Sequence, residues 1–209
     1  MPGVLLLGLV SFVALSVPNA SVRRRVMNLQ AGTYIGDILA DQDSALYRWP
    51  DRPGMQIRVY VEPTSSVAGW SPRYADMARE VFTEWARMDA PLSFTFIDDT
   101  ASADIAVSWV DRFPVEDGQR IGLTERLQSS RYEITRARIS VANHDSLDRL
   151  LTPGVVAGIV RHEVGHALGL NHSADASSVM YRESATSTLS ASDRATLRLL
   201  YLVPPGSLK

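Results

Sequence analysis

His162-Glu163-Val164-Gly165-His166-Ala167-Leu168-Gly169-Leu170-Asn171-His172 holds three of the 4 histidines in the chain. Thr152 and Pro153 upstream supply an N-cap and a first helical residue. Val156, Ile159, Val160, Val164, Ala167 and Leu168 then recur at three- and four-residue steps, so the spacing predicts an amphipathic helix. His162 and His166 stack on one face of it, and both imidazoles can reach one cation. A histidine six residues further cannot join them along a continuing helix. Gly169, lacking a Cβ, can take the left-handed backbone that turns His172 back toward them. Three imidazoles leave a fourth position open, the pattern of a catalytic rather than a structural zinc. Glu163 lies about 100° around the helix from His162, at the edge of the ligand face. It is placed to act as general base and acid on a metal-activated water, the chemistry of zinc-dependent peptide-bond hydrolysis.

The composition leaves room for little else. The 209 residues fit one domain or a domain with a short appendage, and 45% hydrophobic content is enough for a core. Lys plus Arg number 21 against 23 for Asp plus Glu, a formal net charge of -2, which offers no basic field to a nucleic acid. With Cys at 0, disulfides, thiolate ligands and cysteine nucleophiles are excluded, so any metal must be held by histidine and carboxylate.

Residues 1–22 carry no Asp, Glu, Lys or Arg, Val4–Val17 is almost wholly apolar, and Arg23, Arg24 and Arg25 follow. Residues 1–21 therefore read as an export signal with Ala20 before the cut, which makes the protein secreted or extracytoplasmic. Two alternatives stay open. One is an uncleaved membrane anchor, since Val4–Val22 as a helix spans about 28 Å, with the arginines keeping the domain in the cytoplasm. The other is a misassigned start. Residues 22–54 have weak periodicity and end in the turn-rich Trp49–Gly54, so they read as a linker or short pro-segment before a domain at 55–209.

Within that domain, Gln56–Val61, Leu92–Ile97, Asp104–Val110, Arg120–Leu127 and Ile134–Val141 are expected strands, the fourth an exposed edge and the last ambiguous in its buried face. Ser71-Pro72 opens a helix with Tyr74, Met77, Ala78, Val81, Phe82, Trp85 and Met88 on its apolar side. Ser190 to Asp193 resembles a capping box that starts a last helix before Pro204 and Pro205. The fold class is α+β, a sheet covered by helices.

His162-Glu163-x-x-His166-x-x-Gly169-x-x-His172 resembles the metzincin signature. Ser178-Val179-Met180-Tyr181 looks like that family's Met-turn, and Ser173 and the adjacent Met180-Tyr181 look like the matrixin group, the matrix-metalloprotease-like branch. The resemblance covers Gln56 to Tyr201. It implies the zincin/metzincin fold: a twisted, mixed five-stranded sheet with an antiparallel edge strand, an active-site helix and a C-terminal helix after the Met-turn. It further implies one catalytic zinc on His162, His166 and His172, with Met180 and Gly169 supporting the site. Peptide or protein substrate would add to the edge strand at Ile121, Gly122 and Leu123. Met180–Thr188 would form the lower wall, with Tyr181 beside the pocket. Arg182 stands where some metzincins carry a tyrosine ligand, so a fifth ligand is not expected.

Two family features have no counterpart in these residues. A cysteine cannot hold the protein latent, and a second zinc has only His144 left to it. Calcium is a further candidate cation, at Asp98, Asp99, Asp111 or Asp117. A monomer is expected, with no nucleic-acid partner and membrane contact only through an uncleaved N-terminus. Two readings remain beside the peptidase: Ser178–Arg182 as a plain turn around a buried methionine, and a zinc-stabilised module that binds peptides without cutting them.

Overall fold

The computed structural model describes residues 19–51, 54, 56–114, 116, 118–182 and 188–209; most of the expected signal or anchor at 1–21 lies outside them. In chain order the elements are α1 (Asn19–Leu29), α2 (Ile35–Asp41), β1 (Ala45–Leu46), β2 (Ile57–Val61), α3 (Pro72–Ala86), β3 (Phe94–Phe96), β4 (Ile105–Val110), β5 (Gly122–Gln128), β6 (Ile134–Ala142), α4 (Pro153–Ala167), α5 (Ala191–Leu202) and β7 (Gly206–Ser207). No helix among the described residues is long and apolar enough to cross a membrane.

Five strands form one mixed sheet in the order β3-β2-β4-β6-β5. All its pairs are parallel except β5 with β6. This is the mixed five-stranded sheet of an α+β fold expected from the sequence, with the antiparallel strand at the edge. Period-two alternation sends Ile57, Val59 and Val61 of β2, and Ile105, Val107 and Trp109 of β4, to one buried face. In β6 the alternation breaks, which is why its buried face is ambiguous in sequence. Leu127 pairs with Arg136 but Gln128 pairs with Ile134, so Thr135 is an extra residue in a bulge. Ile134 and Ala137, an odd number of positions apart, thereby both point into the core.

Helices α3 and α4 pack on that face and on each other, α3 through Tyr74, Ala78, Phe82 and the fully buried Trp85. Ser71 caps α3 and Thr152 caps α4, each with a proline in the first turn. Arg161, whose role the sequence does not reveal, joins the two helices through a paired contact with Glu84 at 2.6 and 2.8 Å. Ser190 and Asp193 form the expected capping box of α5.

The segment read as a linker or short pro-segment is built into the body of the molecule. Val22 and Val26 of α1, Ile35 and Ile38 of α2, Leu46 and Trp49 all belong to the buried core. β1 pairs with β7 at the far end of the chain. The helices of this segment are short and each places only two apolar side chains in the core, Val22 and Val26 in α1 and Ile35 and Ile38 in α2, which leaves little periodicity to read in the sequence. Such burial is worth roughly 1.5–3 kcal/mol for each large side chain.

Candidate metal centre

Helix α4 ends in a Schellman turn, and that turn builds the site. Leu170 N–H donates to the Gly165 carbonyl at 3.0 Å and Gly169 N–H to the His166 carbonyl at 3.0 Å. Gly169 has φ +105, and a Cβ there would run into the backbone oxygen of Tyr47. Both constraints require glycine. The chain reverses as its spacing predicts, and His172 returns to the face that carries His162 and His166. Ring centroids lie 4.7 Å apart for His162 and His166, 5.4 Å for His162 and His172, and 4.9 Å for His166 and His172. One nitrogen from each ring falls within 4.8 Å of the others, and among the described residues this is the only such group of three or more histidine or acidic side chains.

Two backbone carbonyls orient the rings. His162 Nδ1 is 2.7 Å from the Val179 oxygen and His166 Nδ1 is 3.0 Å from the Leu170 oxygen. A carbonyl only accepts, so the proton sits on Nδ1 in both rings and Nε2 presents a lone pair. Those two Nε2 atoms face each other at 3.0 Å. Two buried lone pairs that close repel unless a cation lies between them. Burial also holds both rings below the ordinary histidine range, His166 furthest. His172 is lowered to about 4, by burial first and then by the Arg182 charge. The three are neutral near pH 7 and can hold a divalent ion such as zinc, for which an all-imidazole set is suited.

Met180 is fully buried against α4, where a Cβ on Gly165 would strike its sulfur. The four-residue stretch around it is pinned from α5. The buried carboxylate of Asp193 accepts from Ser178 Oγ at 2.5 Å, Val179 N–H at 3.2 Å, Ser190 N–H at 2.8 Å and the Tyr34 hydroxyl at 3.1 Å. Val179 is thus held at its nitrogen by Asp193 while its oxygen holds His162. Ser173 N–H donates to the Met180 oxygen at 2.9 Å, and Tyr181 bridges to Ser173 as adjacent parallel strands do. Residues 178–181 thus form a tight turn around a buried methionine, packed against α4 at Gly165.

Glu163 is 6% exposed, and burial pushes its carboxyl up to about 7, against the Thr124 hydroxyl and the Arg120 charge, which pull it down. A carboxyl that titrates near neutrality is suited to proton transfer in both directions. The face of β5 toward α4 explains its surroundings. Gly122, Thr124 and Arg126 alternate along that face: Gly122 abuts Glu163 and Ile159, Thr124 Oγ1 reaches Glu163, and Arg126 Nη1 donates to the His166 carbonyl at 3.1 Å. Thr124 and Arg126 are absent from the sequence reading. Their period-two spacing from Gly122 was the available signal, but only the packing shows which strand face meets the helix.

Of the expected substrate residues, Ile121 and Leu123 flank Gly122 at the start of the edge strand, and Ile121 accepts from Ala142 N–H at 2.9 Å. Tyr181 is half-buried and bridges to Ser173, which follows His172 in the chain, while most of the expected lower wall, residues 183–187, lies outside the described residues. Of the calcium candidates, Asp98 is exposed, and Asp99 accepts from Ala101 N–H and Ser102 Oγ in its own turn. Asp111 pairs with Arg112 and His144. Asp117 lies outside the described residues.

A matrixin family profile matches residues 62–202. No curated protein matches the chain.

Proposed function

From the premise that this chain belongs to the matrixin family of metallopeptidases, we propose that it is a zinc-dependent endopeptidase with Glu163 as general base and acid. The observation that carries the reading is the facing pair of bare Nε2 atoms on His162 and His166, with His172 turned in beside them. Zinc on these three imidazoles supplies Lewis acidity toward a carbonyl oxygen and lowers the pKa of water.

The chain's own residues supply the rest. Glu163 takes a proton from the attacking water and returns it to the leaving amine. Thr124 orients that carboxyl. β5 is the last strand of the sheet, and its outer edge offers backbone N–H and C=O groups to an extended peptide, as strand addition requires. Gly122 and Leu123 begin that strand, Ile121 precedes it and Tyr181 bridges to Ser173 after the third histidine, so these four are the substrate contacts of the proposal. Met180 and Gly169 support the ligands from below and from the turn. Removal of residues 1–21 on export is part of the same reading, on the apolar run before Arg23.

The test is Glu163→Ala. The variant is expected to bind one zinc per chain, while hydrolysis of unfolded protein falls by about 10²–10⁴-fold. Wild-type protein that binds zinc but cleaves nothing in a broad peptide library would instead support a binding module.

A further inference from the structure

The carbonyls at the end of α4 and its cap lie beyond the regular helical ladder; that of His166 accepts from Gly169 N–H in the turn, and three groups distant in sequence donate to the carbonyls of residues 166–168. Trp49 Nε1 donates to the Ala167 oxygen at 2.9 Å, the Tyr201 hydroxyl to the Leu168 oxygen at 3.0 Å, and Arg126 to the His166 oxygen. Arg126 differs from the other two. Its Nη2 also donates to Asn171 Oδ1 at 3.3 Å, so one rigid guanidinium spans the second histidine of the group and the residue before the third. No salt bridge to it is found among the described residues; its charge interacts with Tyr47, Tyr201 and the ring of His166. A half-buried cation without a carboxylate still loses part of its hydration. What offsets the cost here is the negative end of the α4 dipole and two oxygen acceptors in fork geometry.

We propose that Arg126 is a positioning residue that sets the separation of His166 and His172 and thereby the affinity and geometry of the metal site. It touches neither metal nor substrate. It acts by tying the start and the end of the Schellman turn to one planar group on the edge strand. The inference rests on the metal reading given above. It also ties β5 to the ligand set, so the strand proposed to receive substrate and the turn that delivers the third ligand move as one body.

The experiment compares wild type, Arg126→Met, Arg126→Lys and Asn171→Ala by zinc competition with a chromophoric chelator and by the visible spectrum of the Co2+-loaded protein. Arg126→Met is expected to weaken zinc about 10–100-fold, the range for partners of metal ligands, and to shift the Co2+ bands. Arg126→Lys, a point charge with no fork, should restore only part of the affinity. Asn171→Ala removes one arm alone and should weaken zinc several-fold, which keeps the proposal testable should Arg126→Met fail to fold. A folded Arg126→Met, or Asn171→Ala, with wild-type zinc affinity and an unchanged Co2+ spectrum would overturn it. Wild-type protein that takes up no divalent cation overturns the metal reading itself, a separate result.

Discussion

Thr124 Oγ1 lies 2.7 Å from Glu163 Oε2 and 2.9 Å from the Glu163 carbonyl oxygen, so one hydroxyl on the edge strand addresses both ends of the proposed base. Gly122, two residues earlier, leaves the space that the Glu163 side chain occupies. The carboxylate is therefore positioned by the strand that offers its free edge to substrate, not by its own helix alone.

Replacing Thr124 by valine keeps the volume and removes the donor. A hydrogen bond to a charged group contributes roughly 1.5–3 kcal/mol, so kcat is expected to fall by about 10–150-fold with KM little changed. Steady-state kinetics at fixed zinc occupancy checks this. A raised KM with unaltered kcat would place Thr124 in substrate binding instead.

Gly169 and Gly32 both have positive φ, +105 and +73, but only Gly169 has a neighbour where a Cβ would go. Gly32→Ala should cost about 1–2 kcal/mol. Gly169→Ala must also push Tyr47 away, so its melting temperature should drop further than that of Gly32→Ala, by at least about 2–4 °C. Equal melting temperatures would show that the Tyr47 contact relaxes without cost.

Removing the N-terminal segment should reveal how far the domain extends. A chain starting at Thr33 keeps the Tyr34–Asp193 and Trp49–Ala167 bonds and is expected to unfold cooperatively. A chain starting at Gln56 loses both, together with the core residues Ile35, Ile38, Leu46 and Trp49, and should show no cooperative melt. Circular dichroism melts separate the outcomes. Should the Gln56 chain melt cooperatively, this segment is dispensable.

Asp104 joins β4 to β2, accepting from the Arg58 backbone N–H at 2.8 Å and from its guanidinium at 2.9 Å. Burial alone would raise its pKa, but the Arg58 donors outweigh it and hold the carboxyl below its ordinary value. A depressed folded-state pKa stabilises the protein above the unfolded value near 3.9 and ceases to do so as pH falls through the folded one. Asp104→Asn should therefore melt lower at pH 7, by roughly one or two degrees after solvent screening, and equal to wild type in strong acid. A deficit that persists undiminished at low pH would mean that the carboxylate charge contributes nothing.

How much of this was legible in advance varies by element. The α4 helix, the glycine turn and the three histidines could be read because every step is local: capping at Thr152, four-residue spacing, and a backbone reversal at Gly169. The strands β2 and β4 show clean alternation for the same reason. The linker reading of residues 22–54 did not anticipate their burial, because Ile35, Ile38 and Trp49 find partners only across the folded chain. β6 hid its inner face because one bulged residue shifts the register, and a bulge has no marker in the alternation itself.

The order of residues by itself determined the ligand types, their spacing, the acid beside them and the turn that gathers them, since these depend on helix geometry and on which residue tolerates positive φ. Tertiary structure decided what surrounds them: that Thr124 and Arg126 face α4, that Asp193 holds Val179 and through it His162, and that Tyr47 and Trp49 complete the helix end. Such contacts join residues 39 to 159 positions apart or bridge separate elements, where no periodicity links the partners and only close packing brings them within hydrogen-bonding distance.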